Sequence, residues 1–179
     1  MTPAILTCSG QYFDLVDPQP DMIHIADIAH ALAHLCRFTG HTRNFYSVAQ
    51  HSAHVSATCP EHLALQGLLH DATEAYVGDI ASPLKAMLPD YQVIEARVWL
   101  AIAERFGLPA TLDPAIKDAD LAMLTAERIH LMPRTPEPWP CETTHPPRMK
   151  FILSQPPKLA REMFLARFDL LTQTEATTP

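Results

Sequence analysis

Glycine is scarce in this chain. Its 179 residues include only five. None belongs to a G-x-G-x-x-G or G-x-x-x-x-G-K-[S/T] string, which excludes the glycine-rich turns that cradle dinucleotides and nucleoside triphosphates. The four cysteines, Cys8, Cys36, Cys59 and Cys141, are widely spaced with no C-x-x-C pair, so a zinc knuckle is not expected. A chain of this size can do without disulfides, and the simplest reading is four reduced thiols in a cytoplasm. No apolar run is long enough to span a bilayer, and no membrane partner is expected. The opening MTPAILTCSGQYFD lacks a basic stretch followed by an apolar run, so no signal peptide is expected either. Basic residues are also in deficit: 13 Lys and Arg against 20 Asp and Glu give a net charge of −7. A nucleic-acid polymer is therefore not an expected partner, although a local cationic cluster can still hold a small anion.

The composition does supply a core. Hydrophobic residues make up 47% and charged residues 18%, which suits one domain spanning 1–179. Ten histidines stand out, most of them before position 71.

The pattern along the chain is mainly helical. Two β-prone runs flank Ser9-Gly10 and predict a small hairpin within residues 1–20. Asp27 is expected to cap a helix reaching about Arg37, with Ile28, Leu32 and Leu35 on its apolar face and Asp27, His30, His34 and Arg37 opposite. Ser47 and Gln50 fit a capping box for a helix to about Cys59. Pro60 suits the first position of a third helix, to about Tyr76. Ser82-Pro83 opens a short helix, and Asp90 to Phe106 a longer one closed by Gly107. Asp113-Pro114 starts another, to about Leu131. The six prolines of 133–147 predict an extended surface loop without helix. A last helix is expected over about Pro157–Thr172, carrying Leu159, Met163, Phe164, Phe168 and Leu171, before a frayed tail at 174–179. The fold expected is all-α, a compact helical bundle with a minor N-terminal hairpin.

The segment LLHDATEAYVGDIASPLK, residues 68–85, concentrates the chemistry. His70 and Asp71 are adjacent on a predicted helix, Glu74 follows one turn later on the same side, and Gly67 one turn earlier leaves room for a neighbour. A titratable stripe on a leucine-rich helix calls for partners, and a divalent metal suits imidazole and carboxylate together. His51 on the preceding helix and Asp120 on a later one are candidates. Ile116, Met123, Leu124 and Leu131 define an apolar stripe that contains Asp120, whereas Asp118 falls near Thr125 on the opposite side, so periodicity selects Asp120.

The order His … His-Asp … Asp, here His51, His70-Asp71 and Asp120, resembles the HD-domain metal-dependent phosphohydrolases. It is most similar to bacterial 5′-deoxynucleotidases and small phage dATP triphosphohydrolases. The strings that carry the resemblance are QHS at 50–52, HDATEAYVGDIASPLK at 70–85 and KDAD at 117–120. The resemblance implies an HD-domain bundle in which His51, His70, Asp71 and Asp120 ligate one divalent metal ion, which could be Mn, Co, Ni, Fe, Zn or Mg. It implies that Glu74 is the acid/base residue and Asp79 a second active-site carboxylate. It gives Arg37 a phosphate contact and makes Lys85 and Lys117 basic contacts of the triphosphohydrolase branch. Phe38 stands at the substrate-binding position that the deoxynucleotidases fill with Trp. The implied activity is hydrolysis of a (deoxy)nucleoside 5′-monophosphate by a cytoplasmic homo-oligomer. Release of triphosphate from a dNTP and a non-catalytic nucleotide sensor are the alternatives.

Several residues have plainer readings. His30 and His34 have ligand spacing but no third partner in the pattern, and read as solvated or pocket-rim groups. His54 reads as packing or support for His51. Tyr12, Phe13, Tyr46 and Tyr76 read as core, although they could stack on a base. Cys36 reads as a small core residue, and Arg43 as either exposed or a phosphate contact.

Overall fold

The computed structural model describes residues 3–175 of the chain. It is mostly helical, with a two-stranded antiparallel hairpin near the N-terminus. Strands β1 (Ala4–Leu6) and β2 (Tyr12–Asp14) pair with Ile5 opposite Phe13. Gly10 turns the chain at φ 82°, a conformation open to a residue without Cβ. Phe13 is fully buried and stacks on Tyr76 at 3.9 Å between ring centroids, which fastens the hairpin to the helical body.

Helix α1 is Ile25–His34, so it starts before the expected cap at Asp27 and ends three residues short of Arg37. Asp27 does not cap it. The residue is buried, and its carboxylate accepts from the Ser9 amide at 2.9 Å, the Ser9 hydroxyl at 2.7 Å and the Cys8 thiol at 2.9 Å. It therefore clamps the hairpin turn onto α1 instead of lying on a solvated face. Burial alone would raise its pKa, but the hydrogen bonds from Cys8 and Ser9 outweigh burial and hold it below the usual value. A depressed carboxylate contributes stability that is fully present above its unfolded pKa, about 3.9, and is lost as pH falls through the folded value. Asp27→Asn is expected to cost about 1–3 kcal/mol at pH 7 and to flatten the loss of stability below about pH 4. Urea unfolding at pH 3 and pH 7 checks this; equal pH dependence in both proteins would refute it.

Helix α2 (Val48–Thr58) begins where the sequence places it. The Ser47 side chain accepts from the Gln50 amide, but the reciprocal half of the capping box is not made. Gln50 instead donates to the Leu153 carbonyl at 2.8 Å and accepts from the Gln155 amide at 2.9 Å. Helix α2 lies at the centre of the fold, buried along its length although much of it is polar.

The third expected helix is interrupted. A 3₁₀ turn at Glu61–Leu63 leads into α3 (Ala64–Leu69), and α4 (Glu74–Val77) follows. Between them the bonds are three residues apart: Ala72 to Leu69, Glu74 to Asp71, Ala75 to Ala72 and Tyr76 to Thr73. At the same point the His70 Nδ1 occupies the Gly67 carbonyl at 2.8 Å, a side-chain insertion of the kind that breaks a helical ladder. Gly67 is where α3 meets α2: a Cβ there would lie 2.7 Å from the Cys59 sulfur.

The remaining helices are α5 (Ser82–Lys85), α6 (Pro89–Phe106), α7 (Pro114–Leu131), α8 (Pro140–Thr144) and α9 (Pro157–Glu175). Gly107 ends α6 in the left-handed region, and Asp113 caps α7 by accepting from the Ala115 amide. Helix α8 corrects the expected proline-rich loop. Pro140 sits in its first turn, where a missing N–H is no loss, and the Glu142 carboxylate accepts from the Trp139 amide at 2.8 Å. Because α7 packs on both α2 and α8, its buried arc is wider than one stripe, and Thr125 is buried rather than exposed beside Asp118. On α9, Phe164 is fully buried whereas Leu159 is exposed. Cys36 is likewise exposed, because α1 ends before it and its backbone bridges to Ser47. Among the four tyrosine and phenylalanine candidates only Tyr12 lies outside the core, on the exposed hairpin. The expected frayed tail falls mostly outside the described residues, which end at Glu175. No helix of the described residues is long and apolar enough to cross a membrane.

Candidate metal centre

The centre of the fold brings together residues far apart in sequence. His51 comes from α2, His70 and Asp71 from the tightened turn after α3, and Asp120 from α7. One ligand-type atom from each of His51, His70 and Asp120 lies within 4.8 Å of the others, a group able to hold a metal ion. Asp71 adjoins it, with Oδ2 3.2 Å from His70 Nε2 and 3.5 Å from His51 Nε2. Asp120 Oδ1 is 3.3 Å from His51 Nε2. Asp118 is exposed and faces His145 at 3.3 Å, so the helical phase of α7 separates the two aspartates as the sequence pattern indicates.

The donor set fits a cation on a direct observation. The Nε2 atoms of His51 and His70 are both buried and neither has a hydrogen-bond partner. On the far side of each ring, Nδ1 faces a pure acceptor: the Glu127 carboxylate at 2.6 Å for His51 and the Gly67 carbonyl at 2.8 Å for His70. Each Nδ1 therefore carries the proton, which leaves Nε2 of the neutral ring with a lone pair aimed into the centre. Two orphaned buried acceptors pointing at one spot between carboxylates would be costly without something positive there. The surrounding carboxylates draw positive charge to this spot. Burial and the Arg37 guanidinium would depress the His51 pKa, yet Glu127 and Asp120 push it up to about 9, so without a cation the ring takes a second proton at Nε2, which a bound metal would replace.

Arg37 is not helical. It opens a turn, Arg37–Gly40, in which Phe38 and Thr39 adopt φ near +55° and +53°. That region strains a β-branched residue such as Thr39. The Arg37 guanidinium reaches Glu127 Oε2 at 3.2 Å and Asp71 Oδ2 at 3.5 Å. The Phe38 ring lies between two neighbours, 5.9 Å from the Trp139 ring and 5.3 Å from the Arg37 guanidinium carbon.

A cleft of about 550 Å³ opens beside the centre, with His70, Asp71, Asp120, Thr73, Lys85 and Lys117 in its wall. Arg37, Phe38, Glu74 and Asp79 do not line it. Of His70 and Glu74, His70 alone lies in that wall. With three residues per turn, Thr73 rather than Glu74 falls in line with His70. Glu74 is 5% exposed, and its Oε2 has no hydrogen-bond partner. Burial, then the negative charges of Asp71 and Asp79, hold its pKa well above the ordinary value. Burial also raises Asp79, with Arg37 opposing. The two lysines already have partners: Lys85 bonds Glu95 at 2.7 Å and Lys117 bonds Asp120 Oδ2 at 2.7 Å.

His34, His54 and Arg43 are accounted for locally. His34 Nδ1 lies 2.7 Å from the His30 carbonyl, and His54 Nε2 lies 3.3 Å from the Gln50 amide nitrogen. Arg43 donates to the Met132 carbonyl at 2.9 Å, at the end of α7.

Glu127 and Tyr46 are the site residues that sequence reasoning missed. Both are fully buried, and the Tyr46 hydroxyl donates to Glu127 Oε1 at 2.9 Å. A signal was present: Glu127 follows Asp120 by seven residues, two helical turns, on the same apolar face of α7.

No family model matches the sequence. The chain is 41% identical over 170 residues to the uncharacterized protein YfdR of Escherichia coli K12, covering 94% of this chain and 96% of that one. The chain belongs to the YfdR family. A second relative, an uncharacterized protein of Rhodobacter capsulatus, is 42% identical over 137 residues, covering 68% of this chain and 70% of its own.

Proposed function

We propose that this protein is a metal-dependent nucleotide phosphohydrolase of the HD-domain type, acting on a (deoxy)nucleoside 5′-monophosphate to give nucleoside and phosphate. The observation that carries the reading is the pair of buried, unpartnered Nε2 atoms of His51 and His70, set among carboxylates, with His70, Asp71 and Asp120 in the wall of a cleft that also holds two lysines. His51, His70, Asp71 and Asp120 would hold one divalent ion. Such an ion supplies Lewis acidity, lowering the pKa of water from 15.7 toward about 7 and polarising a phosphoryl oxygen.

The chain's own residues do the rest. Lys85 and Lys117 face the cleft and offset charge on phosphoryl oxygens as bonds change. Arg37 is anchored on Glu127, while its contact to Asp71 is long at 3.5 Å, so an incoming phosphate oxygen can compete for that guanidinium nitrogen. Glu74, buried with a free oxygen next to Asp71, takes up or returns the proton of the attacking water. No side-chain nucleophile is needed.

The presence of both Lys85 and Lys117 in the cleft favours one second reading, release of triphosphate from a dNTP. Each lysine is already matched by a carboxylate, Glu95 or Asp120, which leaves less net positive charge for a longer phosphate chain. The test is a phosphate- and triphosphate-release screen of metal-reconstituted protein against nucleoside mono- and triphosphates. Phosphate from monophosphates is expected. Triphosphate release would favour the second reading, and binding without any release would leave a nucleotide sensor.

The two aspartates of α7 provide a second check. Asp120→Ala is expected to abolish phosphate release, whereas Asp118→Ala, an exposed change, should leave the rate within about twofold, in keeping with the small effects of surface substitutions. Equal losses would show that the phase of α7 does not separate the two aspartates.

A further inference from the structure

We infer that Glu127 is a positioning residue for the metal centre: it aims His51 Nε2 into the site and ties the loop that carries Arg37 to the same point. This rests on the reading that a divalent cation sits among His51, His70 and Asp120.

The His51 ring spans two carboxylates of one helix. Its Nε2 is 3.3 Å from Asp120 Oδ1 and its Nδ1 is 2.6 Å from Glu127 Oε1. Seven residues separate the two acids on α7, so one rigid element places both a direct ligand and its support. The other contacts to Glu127 come from the two ends of one loop. Tyr46 donates to Oε1 at 2.9 Å, and Arg37 Nε and Nη2 reach Oε2 at 3.2 Å each. The backbone closes that loop at its neck, Arg37 N to Tyr46 O at 2.9 Å and Val48 N to Leu35 O at 3.1 Å. All four partner groups are donors, and only an ionised carboxylate can accept from all of them.

That requirement separates positioning from space filling. In Glu127→Gln the shape is kept, but one oxygen becomes an NH₂. Turned toward Arg37, the NH₂ opposes guanidinium N–H groups. Turned toward His51, it opposes Nδ1–H and the Tyr46 hydroxyl, and favours the tautomer whose Nε2 carries a proton. A residue that only filled space would tolerate the change.

The experiment uses the full chain and Co²⁺ as the probe. Calorimetric titration of wild type and Glu127→Gln is expected to show Kd raised by about 10–100-fold in the variant, the usual effect of removing a ligand's outer partner. Tyr46→Phe, which keeps the His51 bond, should lose less. In Co²⁺-loaded wild type, proton NMR should show a paramagnetically shifted, slowly exchanging imidazole N–H from His51, and Glu127→Gln should lose it. Equal Co²⁺ affinity with the same signal in Glu127→Gln would overturn the inference and leave the metal reading standing. Failure of wild type to bind Co²⁺ would overturn both. If Glu127→Gln does not fold, the wild-type spectrum decides: absence of a slowly exchanging His51 N–H overturns the assignment.

Discussion

Replacing His70 or Asp71 with alanine is expected to abolish divalent-cation binding and nucleotide hydrolysis while the helical circular dichroism persists. His70 supplies one of the two unpartnered imidazole nitrogens, and its ring is fixed by the bond from Nδ1 to the Gly67 carbonyl. Its loss removes a direct donor, so the effect should exceed the roughly 10–100-fold cost of losing an outer partner. Asp71 offers an oxygen close to both imidazoles and to Arg37. Its removal takes a negative charge from the place where a cation would sit and leaves Arg37 with Glu127. The fold should survive, because the two main apolar clusters, one around α1, α2, α6 and α9 and one between α2 and α7, contain neither residue. Calorimetric metal titration and phosphate release measure the two losses. Full activity of metal-free wild-type protein would sink the metal reading.

The second large effect concerns Glu74. Glu74→Ala is expected to lower kcat by about 10²–10⁴-fold, the usual worth of a positioned acid/base group, with cation affinity and KM nearly unchanged. The side chain is buried with one oxygen unpartnered, and burial, then the negative charges of Asp71 and Asp79, disfavour its ionised form, so its removal should not lower thermal stability. Lost activity at unchanged or higher Tm would mark a group kept for chemistry rather than for folding. If the variant instead loses the cation, Glu74 is a ligand and Asp79 becomes the next candidate for proton transfer. Normal turnover would remove Glu74 from the mechanism.

Much of this architecture was legible because it depends on local physics. Ser47 and Asp113 cap helices through their own side chains, Gly107 ends one at positive φ, and the 3.6-residue period puts Asp120 inward and Asp118 outward. Such signals lie within a few residues of the feature they set. The same period marked Asp120 as a costly acid on an apolar face, and the titratable stripe at His70 and Asp71 called for partners, with His51 on the preceding helix as a candidate.

Other features depended on what arrives from elsewhere in the chain. Asp27 looks like a helix cap in sequence, but the hairpin turn at Cys8 and Ser9 supplies donors that draw it into the interior. The turn at His70 tightens where His70 itself takes the Gly67 carbonyl, which moves Thr73, not Glu74, into the cleft wall. The proline-rich segment forms a helix turn because Pro140 stands in its first turn, where proline is tolerated. Glu127 shows the division most clearly. Periodicity marks it as an acid on a buried face of α7, two turns from Asp120. Only the tertiary structure decides that His51, Tyr46 and Arg37 converge on it, because those donors lie 76 to 90 residues away in sequence and nothing local records which of them will face that carboxylate.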